Sequence, residues 1–158
     1  MPVHSDAFKQ GLRRWVSGVT VVTARAGDEM HGMTVSAFSS VSADPPLVLV
    51  CANRGSRTHR IIREGGLFAV NILASDQQAV SNTFASSADE DRRLELVPWH
   101  PGQTGVPMVD GALANLECRV VSAYDEGSHT IYIGDVIAAE LRDADPLIYY
   151  GGSYRDLR

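Results

Sequence analysis

The sequence predicts a mainly β protein that folds as an antiparallel barrel with short helices. Three observations support this class. About six or seven short segments are rich in β-branched or alternating apolar residues and are separated by turn signals. Helical periodicity is limited to two or three short stretches. The length of 158 residues, with a hydrophobic fraction of 44%, fits a single globular domain over residues 1–158.

The first predicted elements are a helix and a hairpin. Ser5 can cap the helix. The apolar stripe of this helix consists of Phe8, Leu12, Trp15 and Val16. Gly18 ends it, and the β-branched run 18–24 predicts a strand. A turn at 26–29 leads into a second strand near His31, so the two strands form a hairpin.

The stretch 32–53 is the most distinctive part of the chain. Its hydroxyl residues are Thr34, Ser36, Ser39, Ser40 and Ser42. A corner at 44–46 follows, because proline cannot donate to a sheet ladder, and the apolar run 47–52 predicts the next strand. The hydroxyl-rich segment is either a polar strand with one solvated face or a surface against which a polar ligand sits.

The middle of the chain alternates short helices with a strand. Ser56 is a good N-cap for a helix that ends at the glycine pair 65–66. The run 67–73 predicts a buried strand. Ser75 and Gln78 have the spacing of a capping box, which predicts a helix that starts there and ends near residue 84.

The last half of the chain begins with a polar stretch and ends in strands. Residues 86–110 contain several prolines and glycines, so we expect a long surface excursion that is functional or partner-binding. The run 114–121 alternates apolar and polar residues, which predicts a half-buried strand. A turn precedes the strand 129–139, where Gly134 suggests a bulge or a close approach. A short final strand covers 146–150.

Composition excludes several classes of function. A net charge of −5 disfavours general affinity for nucleic acid, although a local basic patch for a small phosphate remains possible. Cys51 and Cys118 each lie in an apolar run and are predicted to be buried free thiols in a reducing compartment. The start of the chain lacks a secretory pattern, and no apolar run approaches about 18 residues. We therefore expect a cytoplasmic protein that does not enter a membrane.

The motifs leave one kind of site. No two of the five histidines are three to five residues apart, so no metal is expected. Neither a Gly-x-Ser-x-Gly motif nor a Gly-x-Gly-x-x-Gly motif occurs. Asn53, Ser56, Arg57 and Thr58 follow a strand and open a helix, where backbone N–H groups favour an anion. Ser56 has the alternative role of a plain helix cap.

Several segments together resemble the short-chain flavin reductase family. These segments are GVTVVT at 18–23, GMTVSAFSSVS at 32–42, DPPL at 44–47, FAVNIL at 68–73 and SHT through Gly134 at 128–134. The turn at 102–107 is also similar. The resemblance covers roughly residues 6–155. It implies an antiparallel split β-barrel, the FMN-binding split barrel, as a single flavin reductase-like domain.

The resemblance also implies which residues bind the flavin. Those along the ring and ribityl chain are Met33, Thr34, Ser36, Ala37, Ser39 and Ser40. Those along the ring edge are Cys51, Ala52 and Asn53, and those at the phosphate are Ser56, Arg57 and Thr58. Those at the phosphate and adenine side are Phe84, Ala85 and Ser86. Thr83 stands where the family commonly has an arginine.

The family activity implied is that of an NAD(P)H:flavin oxidoreductase, in which the nicotinamide nucleotide meets His129, Tyr150 and Tyr154. The flavin is FMN or FAD, and NADH is favoured over NADPH because no arginine cluster for a 2′-phosphate is evident. The resemblance further implies a homodimer that supplies reduced flavin to a partner monooxygenase. The alternatives are an FMN-binding or storage module and a pyridoxine-phosphate-oxidase-like enzyme on the same barrel. His129 has the alternative role of a solvated residue at a hairpin end.

Overall fold

The computed structural model describes residues 1–157 and confirms a mainly β fold with short helices. The helices are α1 (Ser5–Leu12), α2 (Arg57–Gly65), α3 (Gln78–Ala85) and α4 (Arg93–Leu96). The first six strands are β1 (Ser17–Gly18), β2 (Thr20–Ala26), β3 (Glu29–Val35), β4 (Phe38–Ala43), β5 (Pro46–Asn53) and β6 (Leu67–Ile72). The last six are β7 (Trp99–Pro101), β8 (Pro107–Val109), β9 (Ala114–Glu126), β10 (His129–Leu141), β11 (Ile148–Tyr150) and β12 (Ser153–Arg155).

Seven strands form one antiparallel sheet in the order β3-β2-β6-β9-β10-β5-β4. Its two edge strands, β3 and β4, are consecutive in sequence and are connected by Ser36 and Ala37. Within residues 1–157 no ladder joins β3 to β4. The Cys51 N–H donates to the Ala37 carbonyl at 3.0 Å, which extends the β4–β5 ladder by one residue beyond Phe38 and does not cross the seam. The barrel is therefore split at the hydroxyl-rich segment, which differs from a fully closed barrel.

The core fills the inner face of this sheet. Val50, Phe68 and Tyr132 are among its fully buried side chains, and Ile61 on α2 packs into the same cluster. Gly134 lies at a register shift in β10, and a Cβ atom there would lie 2.5 Å from the Phe68 ring. The predicted bulge and close approach at Gly134 are both confirmed.

Helix α1 differs from its prediction. The helix ends at Leu12, and its cap is His4, whose ring accepts a hydrogen bond from Asp6 N–H at 3.3 Å. Phe8 is 55% exposed and Trp15 is 77% exposed. Periodicity showed that the helix has an apolar side, but nothing in residues 1–157 covers that side. None of the four helices described has the length and apolar character needed to cross a membrane.

The start of α3 also differs. Gln77 occupies the N-cap position, so the helix begins three residues after Ser75 and the predicted capping box is wrong. The Gln77 side chain instead accepts a hydrogen bond from Ala74 N–H at 2.9 Å and donates one to the Asp110 carbonyl at 2.9 Å. Because Gln77 is nearly buried between these two segments, tertiary contacts rather than a local motif set the first turn.

The predicted surface excursion at 86–110 is largely packed against the sheet. It contains α4, β7 and β8, and Met108 in β8 is 1% exposed. This segment covers the polar side of β9, so Asn115 and Glu117 are buried, contrary to the half-buried strand predicted there. Glu117 accepts hydrogen bonds from the backbone N–H groups of Gln103 and Thr104, at 3.0 and 2.7 Å. The carboxylate thus fixes the covering loop to the strand.

Candidate functional site

A cleft opens beside the seam of the barrel. One cavity of about 290 Å³ lies between the end of β3, the helix α3 and the strands β11 and β12. It is lined by Gly18, Val19, Thr34, Val35, Ser36, Ser81, Ala85, Tyr149 and Tyr154. A second cavity of about 400 Å³ shares Ser36 and Tyr149 with the first and extends past Ala37 toward Trp15. The two cavities form one open groove along the hydroxyl-rich segment.

Two tyrosines make an aromatic wall in this groove. Tyr149 and Tyr154 stand edge to face, with ring centroids 5.4 Å apart. The Tyr154 hydroxyl donates to Asn82 Oδ1 at 3.1 Å and shares a hydrogen bond of 2.7 Å with Ser81 Oγ. These bonds fix Tyr154 against α3. A fixed aromatic ring beside an open groove is suited to stacking on a flat ligand ring.

The opposite rim carries the small polar residues. Thr34 Oγ1 donates to the Ser81 carbonyl at 2.7 Å, which fixes β3 against α3. Ser36, Ser39 and Ser40 are exposed, and Ser39 Oγ donates to the Ser40 carbonyl at 2.9 Å. Ala37 is also exposed at the seam, whereas Met33 is half-buried against the core. Of these predicted residues, Thr34, Ser36 and Ala37 line the groove.

The end of β5 lies beside Ala37, a groove residue whose carbonyl accepts from Cys51 N–H at 3.0 Å. Ala52 is buried, Asn53 is exposed and Cys51 is half-buried, so the prediction of a buried Cys51 holds only in part. Burial raises the pKa of the Cys51 thiol, and burial raises the pKa of Cys118 to about 12. Both cysteines are free, as predicted. Thiols that stay protonated are poor nucleophiles, so neither cysteine fits covalent catalysis.

The loop between β5 and α2 is fixed by its own hydrogen bonds. Ser56 caps α2, as predicted: its Oγ accepts from His59 N–H at 3.1 Å and donates to the Asn53 carbonyl at 2.8 Å. Asn53 Oδ1 accepts from Gly55 N–H at 2.8 Å. The first N–H groups of a helix have no partner within it and attract an anion.

Arg57 and Thr58, on the first turn of α2, differ in what they can offer a phosphate. Arg57 Nη2 lies 2.9 Å from Glu90 Oε1 and 2.6 Å from Asp91 Oδ1. These carboxylates, Asp91 first, raise the pKa of Arg57, so it remains a cation. Thr58 is fully buried, and its hydroxyl bonds to His31 Nδ1 at 2.8 Å. The Thr58 hydroxyl is therefore unavailable in this conformation, and only its backbone N–H faces the helix end.

The residues predicted at the end of α3 have three different environments. Phe84 is fully buried in the core, while Ala85 lines the groove. Ser86 Oγ accepts from Asp89 N–H at 3.3 Å. Arg93, which the sequence did not single out, is buried and donates to the carbonyls of Gly32 and Ser86, at 2.9 and 3.0 Å. Arg93 lies in a run of charged residues, so nothing in the sequence indicated that its side chain would be buried and connect β3 to the end of α3.

The three residues predicted to meet the nicotinamide nucleotide are not grouped in one cavity. Tyr154 lines the groove, but Tyr150 lies on the other face of the β11–β12 hairpin, where Arg155 stands 5.8 Å from its ring centroid. Tyr149 takes the groove position instead, because it pairs with Tyr154 in register. His129 is exposed and pairs with Asn53 at the β5 end. The roles themselves stay predictions.

Fold and groove together define a split β-barrel protein with an open cleft whose aromatic wall is suited to a flat ring. The flavin reductase like domain model matches residues 12–158, and the chain therefore belongs to that family. An NADH-dependent flavin reductase from a Rhodococcus species is 44% identical over 99% of this chain and 86% of its own length.

Two further proteins are similar to this chain, one in sequence over nearly its whole length and one in solved structure. The reductase component of 4-hydroxyphenylacetate 3-monooxygenase from Thermus thermophilus is 40% identical, and the match covers 96% of each protein. The solved structure of an NADH:FAD oxidoreductase from Streptomyces globisporus, in complex with NAD and FAD fragments, superimposes with a TM-score of 0.91. That protein is 32% identical over 100% of this chain and 97% of its own.

Proposed function

We propose that the protein is an NADH-dependent flavin reductase that reduces FMN or FAD and supplies the reduced flavin to a separate monooxygenase. One observation carries the proposal: a single groove joins the aromatic wall of Tyr149 and Tyr154 to Ser36 and Ala37 of the hydroxyl-rich segment. The reductase names of the Rhodococcus and Thermus relatives support the same activity.

The donors along the groove fit a flavin. The two joined cavities, of about 290 and 400 Å³, have the size of small-molecule sites. The exposed hydroxyl of Ser36, which lines both cavities, can bond to the polar edge of a ring or to a ribityl chain. Arg57 and the first turn of α2 can hold a phosphate through charge-assisted hydrogen bonds. No cluster of histidine, cysteine and carboxylate side chains suited to a metal occurs within residues 1–157.

The residues of the groove act by binding and orientation. When bound, the flavin supplies the redox chemistry by accepting a hydride from NADH. Tyr154, fixed by Ser81 and Asn82, restricts where a ring can lie, and such positioning lowers the entropic part of the barrier. At the end of β5 the Cys51 N–H already donates to the Ala37 carbonyl, so a backbone N–H that stabilises negative charge developing at a ring edge would have to come from Asn53.

The activity is tested by NADH consumption with FMN, FAD or riboflavin added in turn. We expect NADH loss that depends on added flavin. A storage module would bind FMN without oxidising NADH, and an enzyme like pyridoxine-phosphate oxidase would instead consume pyridoxine phosphate. Absence of flavin-stimulated NADH oxidation in purified protein would refute the reductase assignment. The same assay with NADPH tests the preference for NADH.

We also propose a homodimer that forms through the outer face of β5 and β10. Leu49, Cys51, Ile131 and Ile133 alternate with buried residues and are half-exposed on this face. The register places Ile131 beside Cys51 and Ile133 beside Leu49, so the four side chains form one apolar patch. Apolar patches of this kind mark interfaces. Sedimentation should give a dimer at micromolar concentration, and the Ile133→Glu variant should sediment as a monomer. If the protein without this substitution is already a monomer, the proposal is wrong.

A further inference from the structure

Arg57, the first residue of α2, forms long-range ion pairs with an acidic loop, defined here as residues 89–91. Arg57 Nη2 bonds to Glu90 Oε1 at 2.9 Å and to Asp91 Oδ1 at 2.6 Å. These carboxylates are 33 and 34 residues away along the chain. The cation proposed to bind the flavin phosphate is therefore already paired with two anions of the protein itself.

A second contact holds the acidic loop against the same turn. His31 Nε2 bonds to the Glu90 carbonyl at 2.8 Å, and His31 Nδ1 bonds to Thr58 Oγ1 at 2.8 Å. Burial lowers the pKa of His31, so the neutral ring donates from Nε2 and accepts the Thr58 proton at Nδ1. The buried histidine therefore joins the main chain of the loop to α2, while the ion pairs of Arg57 involve side chains that are partly or fully exposed.

The ion pairs can exchange because their groups are exposed. The side chain of Arg57 is 34% exposed, that of Glu90 46% and that of Asp91 82%. Exposed ion pairs are weak, and a phosphate offers Arg57 the same charge-assisted, bidentate hydrogen bonds as a carboxylate does. A phosphate can therefore replace the carboxylates at Arg57 while the His31 contact keeps the loop backbone in place.

We propose that Glu90 and Asp91 compete with the flavin phosphate for Arg57 and so determine how tightly phosphorylated flavins bind. The inference rests on the proposed function, because it takes the ligand of Arg57 to be a flavin phosphate. By weakening that contact, the acidic loop keeps the flavin exchangeable, as a reductase that releases its product requires. It acts on FMN and FAD but not on riboflavin, which carries no phosphate.

The test measures dissociation constants of FMN and riboflavin by fluorescence titration of the purified full chain. The variant Glu90→Gln, Asp91→Asn should bind FMN about three- to tenfold more tightly, since two exposed pairs no longer compete. Riboflavin affinity should not change. In the Arg57→Ala background the same two changes should alter FMN affinity by about twofold at most, because screened repulsion alone remains.

The matched control is Glu29→Gln, Glu64→Gln, which removes the two carboxylates paired with Arg60 on the same helix. It should leave FMN affinity nearly unchanged. The inference would be overturned if the acidic-loop variant bound FMN no more tightly than the original protein. It would also be overturned if the control variant bound FMN equally tightly, or if the acidic-loop variant bound riboflavin more tightly to the same extent. Neither result would contradict the reductase assignment. Failure of the unchanged protein to bind any flavin would instead refute the proposed function, and the inference with it.

Discussion

Replacing Arg57 with alanine tests the phosphate end of the groove. The change removes the guanidinium at the first position of α2, and it leaves the Ser56 cap and the buried Thr58–His31 bond in place. The helix should therefore still form. Affinity for FMN should fall, whereas affinity for riboflavin should stay the same, because only FMN carries the phosphate that the guanidinium can bind.

The magnitude follows from two opposing contributions. A hydrogen bond to a charged group contributes about 1.5–3 kcal/mol. The unliganded protein also loses its exposed pairs with Glu90 and Asp91, which together stabilise it by about 0.5–1 kcal/mol and which FMN would have displaced. The net loss of FMN binding is about 1–2 kcal/mol, or about five- to thirtyfold in the dissociation constant.

Fluorescence titration of both flavins measures this loss, and Arg60→Ala is the matched control. Arg60 lies on the same helix and is likewise paired with two carboxylates, those of Glu29 and Glu64. The Arg60→Ala variant should therefore bind FMN and riboflavin with nearly unchanged dissociation constants. Equal losses of FMN and riboflavin in Arg57→Ala, or an equal loss of FMN in Arg60→Ala, would show that Arg57 has a structural rather than a phosphate-binding role.

Three further predictions concern other parts of the chain. His129→Ala should raise the Michaelis constant for NADH and leave flavin affinity unchanged in steady-state kinetics; lost flavin binding would contradict this role. Gly134→Ala should destabilise the fold by about 1–3 kcal/mol in urea unfolding, because a Cβ atom would lie 2.5 Å from a core ring. Hydrogen bonds to Asp110 and then Glu140 raise the pKa of His100, so its stabilisation is present below about pH 6.5 and is lost as pH rises through the folded-state pKa. The His100→Gln variant should lose this pH dependence of the melting temperature. If the variant and the original protein show the same pH dependence, His100 is not its source.

Several features of the site could be read from local sequence. Ser56 was recognisable as a cap because a small hydroxyl residue precedes the helical pattern, and Gly66 was recognisable as its end because only glycine readily adopts a φ of 67° there. Gly134 was recognisable because glycine inside a strand marks a bulge or a close approach. The cap and the end of α2 depend on the backbone within a few residues, and Gly134 is marked by its residue type alone, which is why a linear pattern was sufficient for all three.

Other features depended on what lies against an element. Asn115 and Glu117 alternate with apolar residues as solvated positions would, yet both are buried because the 99–109 segment covers them. Ser75 and Gln78 had capping-box spacing, but Gln77 was drawn into bonds with Ala74 and Asp110. In these cases a contact between segments distant in sequence overrode a local preference, which for a helix cap is about 1 kcal/mol.

The sequence alone determined the mainly β class, most strands, the cap of α2 and, through its resemblance, the flavin reductase family. These depend on periodicity, turn residues and motifs, which a single chain carries along its length. Only the tertiary structure decided that Tyr149 rather than Tyr150 shares the groove with Tyr154, and that Arg57 is paired with Glu90 and Asp91. Strand register and long-range ion pairs decide such groupings, because they bring together side chains that no local pattern connects.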